Sequence, residues 1–369
     1  MTIIAVKSDT KLRGVNLGGW LVLEKWMTPS LFDGMNARDE TSWCVEHGER
    51  AGAILRAHWQ RFIDRSDFAW LAEIGINAVR IPVGYWLFDA DYPYHNSYGD
   101  RRYPMVSGGV EILDRAFDWA AEFGLRVVVD LHAVPGCQNG FDNGGIQDVC
   151  EWSSRQEYID YALQTLERLA RRYGRHPALH GMEVLNEPRW DIDTELLKNY
   201  TLAAYQVIRR HCPASVVVIF HDGFRSFREY GGFLAGHENV VFDIHRYQCF
   251  VADDIDTDLF GHLRKTVVDW KQEADDIITH SGLPTYVGEW SLGLNHRTFE
   301  LWQQDISDYR QTGIDVFQLD LAYRGYAAAQ LACFEKYLGW FFWSYKTETT
   351  PEWSLRDCVE RGWLPSRFR

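Results

Sequence analysis

Residues 125–132 read Leu-Arg-Val-Val-Val-Asp-Leu-His. Three consecutive β-branched residues favour a strand. An apolar run this unbroken predicts one covered on both faces, as in a parallel sheet. Just before it, Gly109–Phe123 (GVEILDRAFDWAAEF) puts Ile112, Ala116 and Trp119 or Ala120 on one side, the spacing of an amphipathic helix, and Gly124 supplies a stop. The unit is therefore helix, glycine, buried strand. It recurs in both directions along the chain. Strands are predicted at Arg13–Gly18, Ile76–Val83, Leu125–His132, Leu179–Asn186, Ser215–His221, Val240–Tyr247, Thr285–Trp290 and Trp340–Tyr345. Helices are predicted at Gly109–Phe123, Gln156–Tyr173, Thr194–His211 and Ala327–Leu338, with stops at Gly124, Gly174 and Gly339. Eight strands alternating with helices predict an α/β protein with a (β/α)8 TIM barrel, occupying residues 1–369 as a single domain. A doubly wound sheet would bring a glycine-rich phosphate loop after an early strand, and the sequence has neither that loop nor a P-loop.

Composition narrows the function classes. Lys and Arg total 38 against 52 Asp and Glu, a formal charge of −14, which argues against nucleic acid or an anionic membrane as partner. The seven cysteines are scattered and include no C-x-x-C pair, so they read as buried thiols rather than a disulfide framework or zinc site. The N-terminal apolar run is too short for a signal peptide, and no stretch approaches the roughly 20 apolar residues that span a bilayer. A cytoplasmic location and a monomer are the expectations. Aromatic residues make up 15% of the chain and include 16 tryptophans, more than a core of this size usually holds, which points to an aromatic-lined cleft.

In such a barrel the chemistry sits where strands finish. Those positions carry Arg80 in NAVRIPVGYW, His132 in VVVDLHAVPG, Asn186 and Glu187 in MEVLNEP, His245 and Tyr247 in FDIHRYQ, Glu289 in YVGEW and Trp343 in WFFWSYK. No one of them is diagnostic alone, but as a set they suit one pocket. Two carboxylates, hydrogen-bonding groups for ring hydroxyls and an aromatic floor, with no metal or organic cofactor, suit glycoside hydrolysis. Ends of the fourth and seventh strands face each other across a barrel mouth, so Glu187 and Glu289 are the expected pair. Asn186 is placed for a sugar 2-hydroxyl. Tyr247 and Arg80 would hold Glu289 ionised, while the acid needs a raised pKa, expected from its negative partner and partial burial.

The stretches RGVNLGGWLVLEKWMTPSLF, GINAVRIPVGYW, DLHAVPGCQNGFDNGG, VLNEP, HRYQCF, VGEWSLG and FFWSYKTETTPEWS closely resemble glycoside hydrolase family 5, in its exo-β-1,3-glucanase branch. The resemblance runs from about Arg13 to Trp363. It implies a barrel that hydrolyses β-glycosides with retention, with Glu187 as acid/base and Glu289 as nucleophile. It likewise implies that Arg80, His132, Asn186, His245, Tyr247 and Trp343 complete the active site, that Glu24 of GGWLVLE binds the terminal glucose, and that Phe141 and Phe250 grip the next sugar at the entrance. Trp26 and Trp353 are candidate pocket walls. The implied substrate is a β-glucan or β-gluco-oligosaccharide. Alternatives are a β-1,6-glucanase, a β-glucosidase acting on small glucosides or glycolipids, and, more remotely, an inactive sugar-binding protein. The segment Tyr92–Tyr103 (YPYHNSYGDRRY) has no counterpart in that resemblance and is expected to border the sugar subsites.

Overall fold

The computed structural model describes residues 11–88, 105–305 and 315–368, so the Tyr92–Tyr103 segment lies outside the described residues. The strands are β1 Leu12–Asn16, β2 Ala78–Gly84, β3 Arg126–Ala133, β4 Leu179–Glu183, β5 Val217–His221, β6 Val240–Gln248, β7 Thr285–Leu294 and β8 Gly339–Phe342. Each runs parallel to the next. The barrel closes where β8 returns to β1, with Leu12 opposite Gly339 and Val15 opposite Phe342. All eight predicted strands are present. The fourth is shorter than expected, ending at Glu183, yet the Asn186 N–H still donates to the Leu131 carbonyl at 3.1 Å. That bond continues the ladder far enough to hold Asn186 and Glu187 at the rim.

Helices at Val110–Phe123, Gln156–Tyr173 and Thr194–His211 fall where the apolar spacing puts them. Gly124 ends the first in a left-handed turn, φ 72°. Two expectations are corrected. The last long helix starts earlier and stops sooner than its spacing suggests: it spans Val316–Phe334, because apolar residues surround it on all sides and the interior Gly325 disguises its first half. Gly339 is therefore not a helix stop but the first residue of β8, where a Cβ would meet that of Leu12 at 2.7 Å. The second departure concerns the β5–β6 connection, which holds only a 3-10 turn at Phe227–Tyr230 and no α-helix.

Alternation along the strands stacks the barrel interior in tiers. An apolar plug of Leu12, Val128, Ile219, Val241, Tyr286 and Phe341 fills the N-terminal end. Two residues further along the strands, the inward positions become Arg80, Asp130, Glu183 and Asp243, all buried. The next step brings His132 and His245, beside Glu187, His221 and Glu289. A far larger apolar layer lies outside the barrel, between strands and helices, and includes Trp20, Trp43 and Trp152. Much of the tryptophan excess is thus core. Glu289 reaches the inner face because the β6–β7 ladder skips Gly288: Ile244 pairs with Val287 and His245 with Glu289.

Candidate active site

Arg80 organises the floor of the site. Its guanidinium, 1% exposed, donates from Nε to Glu183 at 2.7 Å and from Nη1 to Glu289 Oε1 at 3.0 Å and Asn16 at 2.9 Å. Its Nη2 donates to Asn186 Oδ1 at 2.8 Å and lies 3.1 Å from Asp130 Oδ2. A buried cation this well surrounded has its desolvation offset, and removing one partner would leave a charge unpaired. One consequence is local. Because the Asn186 oxygen faces Arg80, its amide nitrogen points the other way, 3.5 Å from His132 Nε2. The His132 ring in turn stacks on Trp343, with centroids 5.5 Å apart and planes within 6°.

The two rim glutamates meet at His245. Its Nδ1 lies 2.7 Å from Glu187 Oε1 and 3.4 Å from Glu289 Oε2. Sharing one nitrogen keeps those two oxygens within about 6 Å, a spacing that suits the ~5–5.5 Å of retaining pairs rather than the ~6.5–9.5 Å of inverting ones. Glu187 also accepts from Asn143 Nδ2 at 3.0 Å, and Glu289 from the Tyr247 hydroxyl at 2.7 Å. Glu187 sits in the left-handed backbone region, φ 43°, which costs a non-glycine residue about 1–3 kcal/mol and is typical of functional positions.

The electrostatics reverse one expectation. Burial pushes the Glu187 carboxyl up, but the hydrogen bond and charge of His245, with help from His132 and Asn143, outweigh it and hold Glu187 below the usual range. Glu289 is raised: burial and the Glu187 charge exceed what His245 and Arg80 return. Burial alone would lower His245, yet Glu289, Asp243 and Glu187 together hold it well above its ordinary value. The surroundings thus favour a proton on His245 over one on the expected acid. Tyr247 is held protonated, by burial first and then by the charges of Glu289 and Glu187.

Around the mouth, Glu24 is buried and accepts from Trp26 Nε1 at 2.9 Å. Burial, then Asp142 and the charges of both rim glutamates, raise its pKa well above normal. Trp353 packs against Trp26, Tyr247 and Phe250, with centroids 5.2, 5.3 and 6.0 Å away. Trp26 and Trp353 are thus joined in one aromatic wall with Phe250, which is 69% exposed. Phe141 is half-buried on the loop after β3 and makes no ring contact with Phe250 among the described residues. A groove of about 790 Å³ opens beside His245 and Tyr247, lined also by Phe224, Arg246 and Trp270, along the connection that lacks a helix.

Several participants went unread in the sequence. Asn143, in the quoted NGFDN, contacts Glu187 directly. Asp130, Glu183 and Asp243 lie two residues or one tier below the rim residues, in DLH, MEVLNEP and FDIH; the two-residue strand period is the signal that finds them. His221 packs on His245 with centroids 4.3 Å apart. Glu187, His221 and His245 bring ligand atoms within 4.8 Å of one another, as do Glu183, Asp243 and His245. A cation at either triplet would compete with the hydrogen bonds that His245 and Arg80 already make to those carboxylates.

The pattern of cellulase (glycosyl hydrolase family 5) matches residues 48–348. A probable glucan 1,3-beta-glucosidase A of Aspergillus niger is 36% identical, over 96% of this chain and 87% of its own length. Glucan 1,3-beta-glucosidases of Blumeria graminis and Lachancea kluyveri are 33% and 34% identical, each over 97% of this chain and 87% of theirs. Among solved structures, rutinosidase from Aspergillus niger superposes with a TM-score of 0.78 at 21% identity, covering 96% of this chain and 98% of that one, a likeness of fold. With the family pattern covering most of the barrel and relatives matching along nearly the whole length, the chain is a glycoside hydrolase and belongs to glycosyl hydrolase family 5.

Proposed function

We propose that this enzyme is a retaining exo-acting glucan 1,3-β-glucosidase that releases glucose from the non-reducing ends of β-1,3-glucans or their oligosaccharides. The observation that carries the reading is the pair Glu187 and Glu289 converging on one nitrogen of His245, with Glu24 buried beside them. In the first step a Glu289 oxygen attacks the anomeric carbon. The bond to the leaving oxygen breaks as Glu187 protonates it, and the shortened glucan departs as a neutral alcohol. In the second step Glu187 takes a proton from water, whose oxygen displaces Glu289 from the anomeric carbon. Two inversions return the β-anomer.

Asn186, its amide nitrogen turned outward by Arg80, serves the sugar 2-hydroxyl, and Trp343 with its stacked His132 forms the floor. Glu24, buried and bonded to Trp26, is the group expected to hold the terminal glucose and so to favour exo action. Names carried by relatives 33–36% identical support the β-1,3 linkage. The test is a time course on laminari-oligosaccharides with the anomer followed by NMR. Glucose as the only early product, appearing first as the β-anomer, is expected. Mixed oligosaccharides at early times would make the enzyme endo-acting, and α-glucose first would rule out retention.

A further inference from the structure

Asp243 is a buried carboxylate that the reaction above does not use. Strand alternation places it on the inner face of β6, two residues before His245 and one tier deeper. Its position is set from the neighbouring strand. Oδ1 accepts the Gly288 N–H at 2.6 Å, immediately before Glu289. A Cβ at Gly288 would lie 2.0 Å from Asp243 Oδ2, so this carboxylate occupies the space that only glycine leaves open. Oδ2 then faces His245 Nε2 at 3.5 Å. That distance is long for a formed hydrogen bond, but the nitrogen is fully buried and has no hydrogen-bond partner among the described residues.

We propose that Asp243 is a positioning residue for the proton-transfer steps: it keeps a proton on His245 Nε2, so that Nδ1 and Glu187 Oε1 share the single proton that the reaction moves. This rests on the reading of Glu187 as acid/base. A neutral imidazole carries one N–H, and whichever nitrogen holds it leaves a lone pair on the other. With Nε2 protonated toward Asp243, Nδ1 meets Glu187 Oε1 at 2.7 Å as a base. The pair then exists as imidazolium with carboxylate, or as imidazole with carboxylic acid. As the glycosidic oxygen gains charge, the Nδ1 proton passes to Glu187 Oε1 and on from Glu187 to the leaving oxygen, which leaves a carboxylate beside an imidazole protonated on Nε2 alone. In the second step the proton taken from water refills the pair, so protons balance over the cycle.

The groups facing His245 favour such a store. Glu187 approaches from the loop after β4, Glu289 from β7 at 3.4 Å, and Asp243 and Glu183 from below. Opposing them are Arg80 from β2, which pairs with Glu289 and Glu183, and Arg246, which pairs with Asp222 and Glu273. His221 of β5 accepts the Gly223 N–H on Nδ1, which leaves it neutral, and its own pKa is held well below normal by burial and by the His245 charge.

Asp243→Asn tests the assignment. The asparagine retains an oxygen for Gly288 N–H but turns an N–H2 toward Nε2. His245 must then carry its proton on Nδ1, which locks Glu187 as the carboxylate. We expect kcat/KM on laminaribiose to fall about 100-fold or more. On 2,4-dinitrophenyl β-glucoside, whose leaving group needs no proton, the loss should stay within about 5-fold, since acid assistance contributes little there. The basic limb of the laminaribiose pH profile should move to lower pH. Equal losses on both substrates with an unmoved basic limb would reduce Asp243 to a structural role and overturn the proposal.

Glu187→Ala, measured alongside, separates the two readings. If it too loses equally on both substrates, the acid/base role of Glu187 falls and this proposal with it. If its loss depends on the leaving group while that of Asp243→Asn does not, only the proposal falls. A measurement on the unmodified enzyme covers a variant that fails to fold. Nitrogen-15 NMR of His245 should find Nε2 protonated across the active pH range, and a bare Nε2 with the proton on Nδ1 would overturn the assignment.

Discussion

The two sides of the catalytic mouth hold their carboxylates by different means. On the β7 side, Glu289 is met by a permanent cation and a phenol, Arg80 at 3.0 Å and Tyr247 at 2.7 Å. On the β4 side, Glu187 is met by a titratable imidazole and an amide, His245 at 2.7 Å and Asn143 at 3.0 Å. Arg80 cannot give up its proton at any pH the enzyme meets, so the β7 carboxylate, which His245 approaches only to 3.4 Å, keeps one fixed cation in direct contact and suits a nucleophile that must stay ionised. His245 can gain or lose a proton, so the β4 carboxylate has a neighbour that suits a group handing protons back and forth. The difference lies in the partners, since both glutamates are buried.

Removing the β7 carboxylate tests that division most severely. Glu289→Ala leaves nothing to form the glycosyl-enzyme, and kcat should fall on the order of 10⁶-fold, as when other covalent nucleophiles are deleted. Added azide should restore turnover by attacking the vacated face, with α-glucosyl azide as product because one inversion replaces two. Wild-type turnover in that variant, or a β-glucosyl azide, would take the nucleophile's role from Glu289.

Weakening the β7 side without removing its carboxylate gives a smaller effect with a definite sign. In Tyr247→Phe, Glu289 loses a donor that stabilises its ionised form. A hydrogen bond to a charged group contributes about 1.5–3 kcal/mol, so kcat/KM should drop roughly 10- to 100-fold. The Glu289 pKa, already raised by burial, should rise further. Because the ionised form is the active one, the acidic limb of the pH profile moves to higher pH. An unmoved acidic limb would mean that Tyr247 touches substrate rather than tuning Glu289.

How far these contrasts can be read from sequence depends on distance along the chain. The strands are legible because VVVDLH, VVVIF and VVFDIH are each a local apolar run, and the rim residues follow once each strand end is known. The skipped Gly288 is not legible that way: it depends on the Asp243 carboxylate 45 residues earlier taking the glycine's empty side. The reversed proton affinity of Glu187 has the same origin. Its decisive neighbour is His245, 58 residues away, and nothing within MEVLNEP indicates that an imidazole will stand 2.7 Å from that carboxyl. Asp130 and Asp243 are an intermediate case. Each precedes a rim histidine by two residues, and the strand period alone places both beneath it. The missing helix between β5 and β6 leaves a different trace, since Phe224-Arg-Ser-Phe-Arg-Glu-Tyr-Gly-Gly carries two glycines where a helix would need to continue.

The smallest expected effect comes from the β4 side. Asn143 Nδ2 donates to Glu187 Oε2, the oxygen that His245 does not engage, and so favours the ionised form of the proposed acid. In Asn143→Ala that stabilisation is lost and the Glu187 pKa rises toward what burial alone would impose. The protonated acid then persists further into base, so the basic limb should move to higher pH. One lost hydrogen bond to a charged group sets the ceiling, and because His245 remains, the cost in kcat/KM should be about 3- to 10-fold. Tyr247→Phe and Asn143→Ala thus shift opposite limbs in the same direction, each by deleting one donor to one carboxylate. If Asn143→Ala moved the acidic limb instead, Glu187 would be the group that must be ionised, and the roles assigned to the two sides of the mouth would have to be exchanged.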